Sequence, residues 1–260
     1  MSVSGAATRT PQAFGTIVVV GGGCYGSYYV RQLRRAADAG AVTWERLVAV
    51  DRDSRCQLAV ALALESGRAW GGSPAAEVVV AEWRAFFAGM IAGCGELDAI
   101  VPSPLMPHLM VEWLMDRVRE RYPTRPVGLK ALAQELPVPW QMANGDAPHY
   151  ASFATWTCPV NCIEPVTCPH TRGPRDWSMP AAMRAYVEGQ RAAGARLGGP
   201  LLFHCEHRAY GVGMFDARAV RDAGTTVLAA AEQGAAEFLV GTVSHCHGAL
   251  ARLVVGERPE

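Results

Sequence analysis

Thr16-Ile17-Val18-Val19-Val20-Gly21-Gly22-Gly23-Cys24-Tyr25-Gly26-Ser27 is the stretch on which the reading of this chain turns. Ile17 to Val20 is a β-branched run, apolar on both faces, as a buried central strand of a parallel sheet requires. It passes directly into Gly21-x-Gly23-x-x-Gly26, and a helical pattern follows from Tyr25 to about Ala39. Each glycine has its own task. Gly21 permits the tight turn, Gly23 lets a pyrophosphate approach the backbone, and Gly26 lets the helix pack close to the strand. The helix start then directs free N–H groups and its positive dipole end at the phosphates. The next strand, Arg46 to Val50, ends at Asp51, whose carboxylate suits the ribose of NAD, while Arg52 suits the extra phosphate of NADP. Asp51 lies 25 residues beyond Gly26, which leaves room for a small insertion at Ala37 to Thr43. The bland alternative is a glycine-rich turn with no ligand.

With 260 residues, the chain fits one large α/β domain, or a dinucleotide-binding domain plus a smaller unit. Half of the residues are hydrophobic and 18% are charged, so a sizeable core is expected. A formal net charge of zero argues against nucleic-acid and acidic-membrane surfaces. Met1 to Phe14 has no apolar signal core and reads as a loose tail, and no run of about 18 apolar residues marks a membrane span. Eight cysteines without a signal sequence point to a reducing cytoplasm, where clustered thiols are more often metal ligands than disulfides. Lysine and arginine total 24, and the one lysine is Lys130, leaving 24 − 1 = 23 arginines. A lysine can exchange a proton where arginine cannot, which makes Lys130 a candidate for chemistry.

Taken in order, Gln57 to Ser66 reads as a helix, Glu77 to Ala81 as a strand and Glu82 to Gly93 as a helix. Leu97 to Val101 is a strand, Leu109 to Glu120 a helix, and Arg125 to Leu129 a strand ending at Lys130. This alternation predicts a doubly wound parallel sheet, whose ligands sit beyond the carboxyl ends of the strands. The glycine loop, Asp51, Ser103 to His108 and Lys130 all fall at such ends.

The segment Asp98-Ala99-Ile100-Val101-Pro102-Ser103-Pro104, with His108 four residues on, resembles the glucose–fructose oxidoreductase and inositol dehydrogenase family. Lys130 falls where that family carries the lysine of its Glu-Lys-Pro motif. The resemblance implies a Rossmann-type domain over residues 15–135, with Lys130 and His108 as a proton relay beside the nicotinamide. Gly21, Gly23, Cys24, Tyr25, Gly26, Asp51, Arg52, Ser103 and Pro104 would contact NAD or NADP. Leu129 and Ala131 replace that motif's Glu and Pro, and the rest of the chain is too short for the family's large substrate sheet. A methyltransferase would share the glycine loop, but carries an acid where this chain has Val19.

Residues 136–260 read as a Cys/His-rich α/β section. Gln134 to Asp176 is broken by prolines and reads as irregular structure holding Cys158-x3-Cys162-x5-Cys168, with His170 two residues on. Three thiols in a proline-stiffened loop can converge on one metal, zinc or an iron–sulfur cluster. Met179 to Ala195 is a helix capped by Ser178, with Pro180 near its start. Leu201 to Phe203 is a strand running into His204-Cys205-Glu206-His207, and a loop with Gly211 and Gly213 leads to a helix over Ala217 to Gln233. Phe238 to Val243 runs into Ser244-His245-Cys246-His247, with a returning strand at Ala249 to Val255. His204, Cys205, His207, His245, Cys246 and His247 therefore join the candidate ligands.

The expectation is a cytoplasmic NAD(P)-dependent oxidoreductase of a small molecule with an added Cys/His metal centre. A metal-handling or redox-sensing nucleotide-binding protein is the alternative. Neither nucleic acid nor membrane is an expected partner, and self-association into a homo-oligomer stays open.

Overall fold

The computed structural model describes residues 10–65, 72–143, 145, 148–159 and 162–257. It is a mixed α/β protein with six helices and two six-stranded mixed sheets among those residues. The first sheet begins with β1 (Gln12–Val20), β2 (Val42–Asp51), β3 (Glu77–Val80) and β4 (Ala99–Val101), parallel and in the order β3-β2-β1-β4. Helices α1 (Cys24–Asp38), α2 (Gln57–Glu65) and α3 (Trp83–Ala92) make the crossovers. After β4 come α4 (Leu109–Arg121) and β5 (Val127–Lys130), and then β6 (Trp140–Ala143) and β7 (His149–Ser152). The C-terminal part supplies α5 (Met179–Ala192), β8 (Leu197–His204), β9 (Glu206–Ala209), β10 (Val212–Asp216), α6 (Ala217–Gln233), β11 (Ala236–Val243) and β12 (His247–Val255).

The expected all-parallel sheet is not what forms. Beside β4 lies β10, antiparallel, with β9 antiparallel at the edge. The hairpin itself is local. Tyr210 and Gly211 both have positive φ, 45° and 80°, and join β9 to β10 as a two-residue hairpin of the kind whose twist matches paired strands. The loop with Gly211 and Gly213 expected from the sequence is therefore a hairpin.

The second sheet runs β6-β7-β12-β11-β8, and β5 pairs with the far half of β12. Here β11 is parallel to β8 and antiparallel to β12. So β5, expected in the first sheet, lies in the second, with Lys130 opposite Arg252. The division expected at residue 135 is crossed both ways, because residues 206–216 return to the first sheet while residues 127–130 leave it. Two further expectations change. The irregular stretch after Gln134 contains the antiparallel pair β6 and β7. The loose tail ends earlier, since Gln12 to Phe14 pair with Val42 to Trp44; residues 1–9 lie outside the described ones.

Burial follows the strand periodicity. Val18, Val48 and Ile100 on one face of the first sheet pack with Phe87, Leu114 and Val227 of α3, α4 and α6. That core runs on into Val240, Ala251 and Leu253 of the second sheet. Ile17, Val19, Leu47 and Ala49 on the opposite face pack under α1, with Leu33 and Ala36. Met179, Met183 and Val187 of α5 cover the second sheet together with Leu239 and Leu250. The two sheets are thus joined by one continuous apolar layer, and the carboxyl end of the parallel strands faces the start of β12.

Candidate functional site

At the end of β1, Gly21 adopts φ +86° and its N–H donates to the Val50 carbonyl at 2.9 Å. A Cβ at Gly26 would run into the Gly21 carbonyl oxygen, so helix and strand pack as closely as the fingerprint demands. A Cβ at Gly23 would meet no protein atom within 4 Å. Gly23 is the N-cap of α1, and no side chain caps that end. Asp51 sits beside the loop as expected, though its carboxylate is already engaged. Oδ2 accepts the Gly22 N–H at 2.7 Å and Oδ1 accepts the Asp53 N–H at 2.9 Å. Arg52 lies with its guanidinium 5.1 Å from the Trp83 ring centroid. Cys24 is exposed on the first turn of α1.

Next to this loop opens a cavity of about 840 Å³, bounded on one side by Tyr25 and Tyr29 of α1 and by Ser103, Pro104 and Pro107 after β4. The second sheet and the cysteine loop close the other side, with Trp140, Tyr150, Trp156, Cys158, Cys162 and Glu164. Cys205, His207, Ser244, Cys246 and His247 complete the polar end. Val243 pairs with His204, and the Cys205 N–H donates to the Val243 carbonyl at 2.8 Å, which sets the two His/Cys triplets side by side. Each triplet is split: Cys205, His207, Cys246 and His247 line the cavity, while His204 and His245 stand outside it with ring centroids 6.3 Å apart.

The residue that fastens this site is one the spacing arguments passed over. Glu164, in the left-handed region at φ 49°, lies between Cys162 and Cys168 with its side chain 10% exposed. Its carboxylate accepts the Ser244 hydroxyl at 2.7 Å, the His245 N–H at 2.9 Å and the Cys246 N–H at 3.1 Å. Burial alone would raise this carboxyl, but those donors and His207 hold it below the ordinary value. His207 Nε2 lies 3.8 Å from Glu164, and its Nδ1 is 3.0 Å from the Gly211 carbonyl oxygen. His247 is exposed where it opens onto the cavity, and desolvation by the surrounding protein lowers its imidazole despite Glu164. One clue to Glu164 was legible: it is the only carboxylate between Cys158 and Cys168.

The thiols divide by environment. Burial pushes Cys205 up to about 12, with Glu164 adding to the rise. Burial likewise pushes Cys246 up to about 11, although the Trp177 indole N–H donates to its sulfur at 3.3 Å. Cys158 is raised by burial and by neighbouring Cys162. Cys168 is the reverse case: buried outside the cavity wall, it is lowered by the backbone N–H groups of Thr171 and His170. The His170 ring is stacked 4.3 Å from that of Trp156. Among the described residues, no three His, Cys, Asp or Glu side chains come together as a group able to hold a metal ion.

The other expected site residues lie elsewhere. Lys130 is exposed on β5 and does not line the cavity. His108 precedes α4, 3.5 Å from Glu112, with its Nδ1 buried and unpaired, also off the cavity wall. The relay expected of this pair is therefore not assembled around the cavity.

Fold and site together define a mixed α/β protein with a glycine-loop strand–helix unit and a thiol- and imidazole-lined cavity. The chain belongs to the family AF_1314_C, described as an uncharacterized protein C-terminal domain, which matches residues 110–256. No curated protein and no solved structure matches the chain significantly. Among the described residues, no helix is long and apolar enough to cross a membrane.

Proposed function

We propose that the protein is an NAD(P)-dependent oxidoreductase whose small-molecule substrate occupies the cavity between the sheets. The observation that carries this reading is the contrast between two glycines of one loop. Gly26 is required by packing, since a side chain there would meet the Gly21 carbonyl. Gly23 has no such reason within the protein, and its open face lies at the uncapped start of a 15-residue helix. A pyrophosphate laid on that face accounts for the glycine. The residues present fit the group: Gly21 to Gly26 and the α1 N-terminus would take the phosphates, Asp51 the ribose, and Ser103 and Pro104 the nicotinamide end. Bound there, the dinucleotide would supply two-electron hydride chemistry at the edge of the cavity. The protein's own part is to orient the substrate and to exclude water. Calorimetry with NADH and NADPH tests the reading: micromolar binding of one or both is expected, and folded protein that binds neither overturns it.

A second reading has one observation in its favour. The turn after Cys168 directs the N–H groups of Thr171 and His170 at its sulfur, an arrangement that stabilises a thiolate. Cys158, Cys162 and Cys168, which do not stand together as a ligand group in this structure, would have to converge to bind zinc or an iron–sulfur cluster, as their spacing suggests. Metal analysis of protein purified without air tests it. Stoichiometric zinc or iron that is lost in Cys168→Ser supports the reading, and metal retained by that variant overturns it.

A further inference from the structure

We propose, resting on the dinucleotide reading above, that the substrate is a neutral carbonyl or alcohol with an apolar body, and that His207 exchanges the proton with its oxygen. The first support is the wall. Tyr25, Tyr29, Trp140, Met142, Tyr150 and Trp156 present mostly aromatic and apolar surface. Among the described lining residues there is no lysine or arginine. The carboxylate of the cavity, Glu164, is taken up by the Ser244 hydroxyl and two backbone N–H groups. A carboxylate or phosphate on the substrate would lose its water there without meeting a cation, and burying an unpaired charge is heavily disfavoured. An aromatic or alicyclic body meets the opposite situation, since it gains from contact with that surface.

The second support is the geometry of the imidazole. A carbonyl oxygen only accepts, so the 3.0 Å contact between His207 Nδ1 and the Gly211 carbonyl fixes the hydrogen on Nδ1. Nε2 is then the ring nitrogen left for exchange, on a residue of the cavity wall. Glu164, 3.8 Å away, is a positioning residue: its three donors hold the carboxylate rigid beside the ring. The reduction balances as carbonyl plus reduced nicotinamide plus proton giving alcohol plus oxidised nicotinamide. The carbonyl carbon gains hydride as the C=O π bond opens, the oxygen takes the proton from Nε2, and solvent restores that proton. In the direction of oxidation Nε2 removes the hydroxyl proton.

The test combines binding with turnover in the full chain. Calorimetry without cofactor should show saturable binding of acetophenone and none of pyruvate or glyceraldehyde 3-phosphate. With NADH or NADPH, acetophenone reduction should fall roughly 100-fold in His207→Ala, the size typical of a lost general acid, with cofactor Kd unchanged. Added imidazole should restore part of that loss, which a merely structural histidine would not allow. Glu164→Gln should lower kcat with little change in KM, and Glu164→Asp serves if that variant does not fold. Wild type that binds cofactor but prefers pyruvate, or His207→Ala with full turnover, overturns this proposal alone. Wild type that binds acetophenone but neither dinucleotide overturns the oxidoreductase reading and the role of His207 with it, and keeps only the neutral-ligand cavity.

Discussion

The Glu164 carboxylate accepts the Ser244 hydroxyl at 2.7 Å, across 80 residues of sequence, and so ties the cysteine loop to the turn before β12. Two backbone N–H groups of the same turn complete the attachment. Replacing Glu164 with Ala leaves the Ser244 hydroxyl and the His245 N–H without this acceptor, while the Cys246 N–H keeps Ser244 Oγ, and is expected to destabilise the fold by about 2–4 kcal/mol, measured by urea unfolding.

This attachment depends on pH. The folded carboxyl lies below its ordinary value of 4.5, so its stabilising effect is fully present above pH 4.5. Below that the unfolded chain takes its proton first, and the effect fades as pH falls through the folded value. The Tm difference between wild type and Glu164→Gln is therefore expected to be constant above pH 4.5 and to shrink below it. A difference that grows in acid would show the sign to be wrong.

Gly23 and Gly26 are expected to separate binding from folding. Gly26→Ala forces a methyl group onto the Gly21 carbonyl and should cost about 3 kcal/mol or more, seen as a large fall in Tm. The Cβ of Gly23→Val meets no protein atom within 4 Å, and φ −75° suits it, so Tm should change little. Dinucleotide affinity, measured by calorimetry, should be lost in Gly23→Val.

Asp51 has two tasks, and its removal should reveal both. Asp51→Ala leaves the Gly22 and Asp53 N–H groups without their acceptor, at about 1–2 kcal/mol in urea unfolding. It should also weaken NADH more than NADPH, because only NADH offers a ribose hydroxyl to that carboxylate. Equal losses for both cofactors would assign Asp51 to the loop alone.

Lys130→Arg is expected to leave dinucleotide affinity and turnover at wild-type levels. The side chain is exposed on β5, opposite Arg252, and takes no part in the cavity wall. A tenfold or greater loss of kcat in steady-state kinetics would restore the lysine to the chemistry.

What the sequence determined by itself was whatever depends on neighbours along the chain. The β-branched run at Ile17 to Val20, the glycine turn, the cap at Ser178 and the helix over Ala217 to Gln233 rest on local sterics and periodicity, and they form as read. Strand partners are another matter. A four-residue strand such as Val127 to Lys130 pairs equally well with any open edge, and nothing local says that β12 offers it. The Tyr210–Gly211 hairpin is local, but its placement beside β4 is not, and that placement ends the first sheet antiparallel. The two His/Cys triplets were visible as clusters, but only the pairing of β8 with β11 determined which members share the cavity. Glu164 was the least legible residue, because its partners lie about 80 residues away and its role is fixed by distance in space.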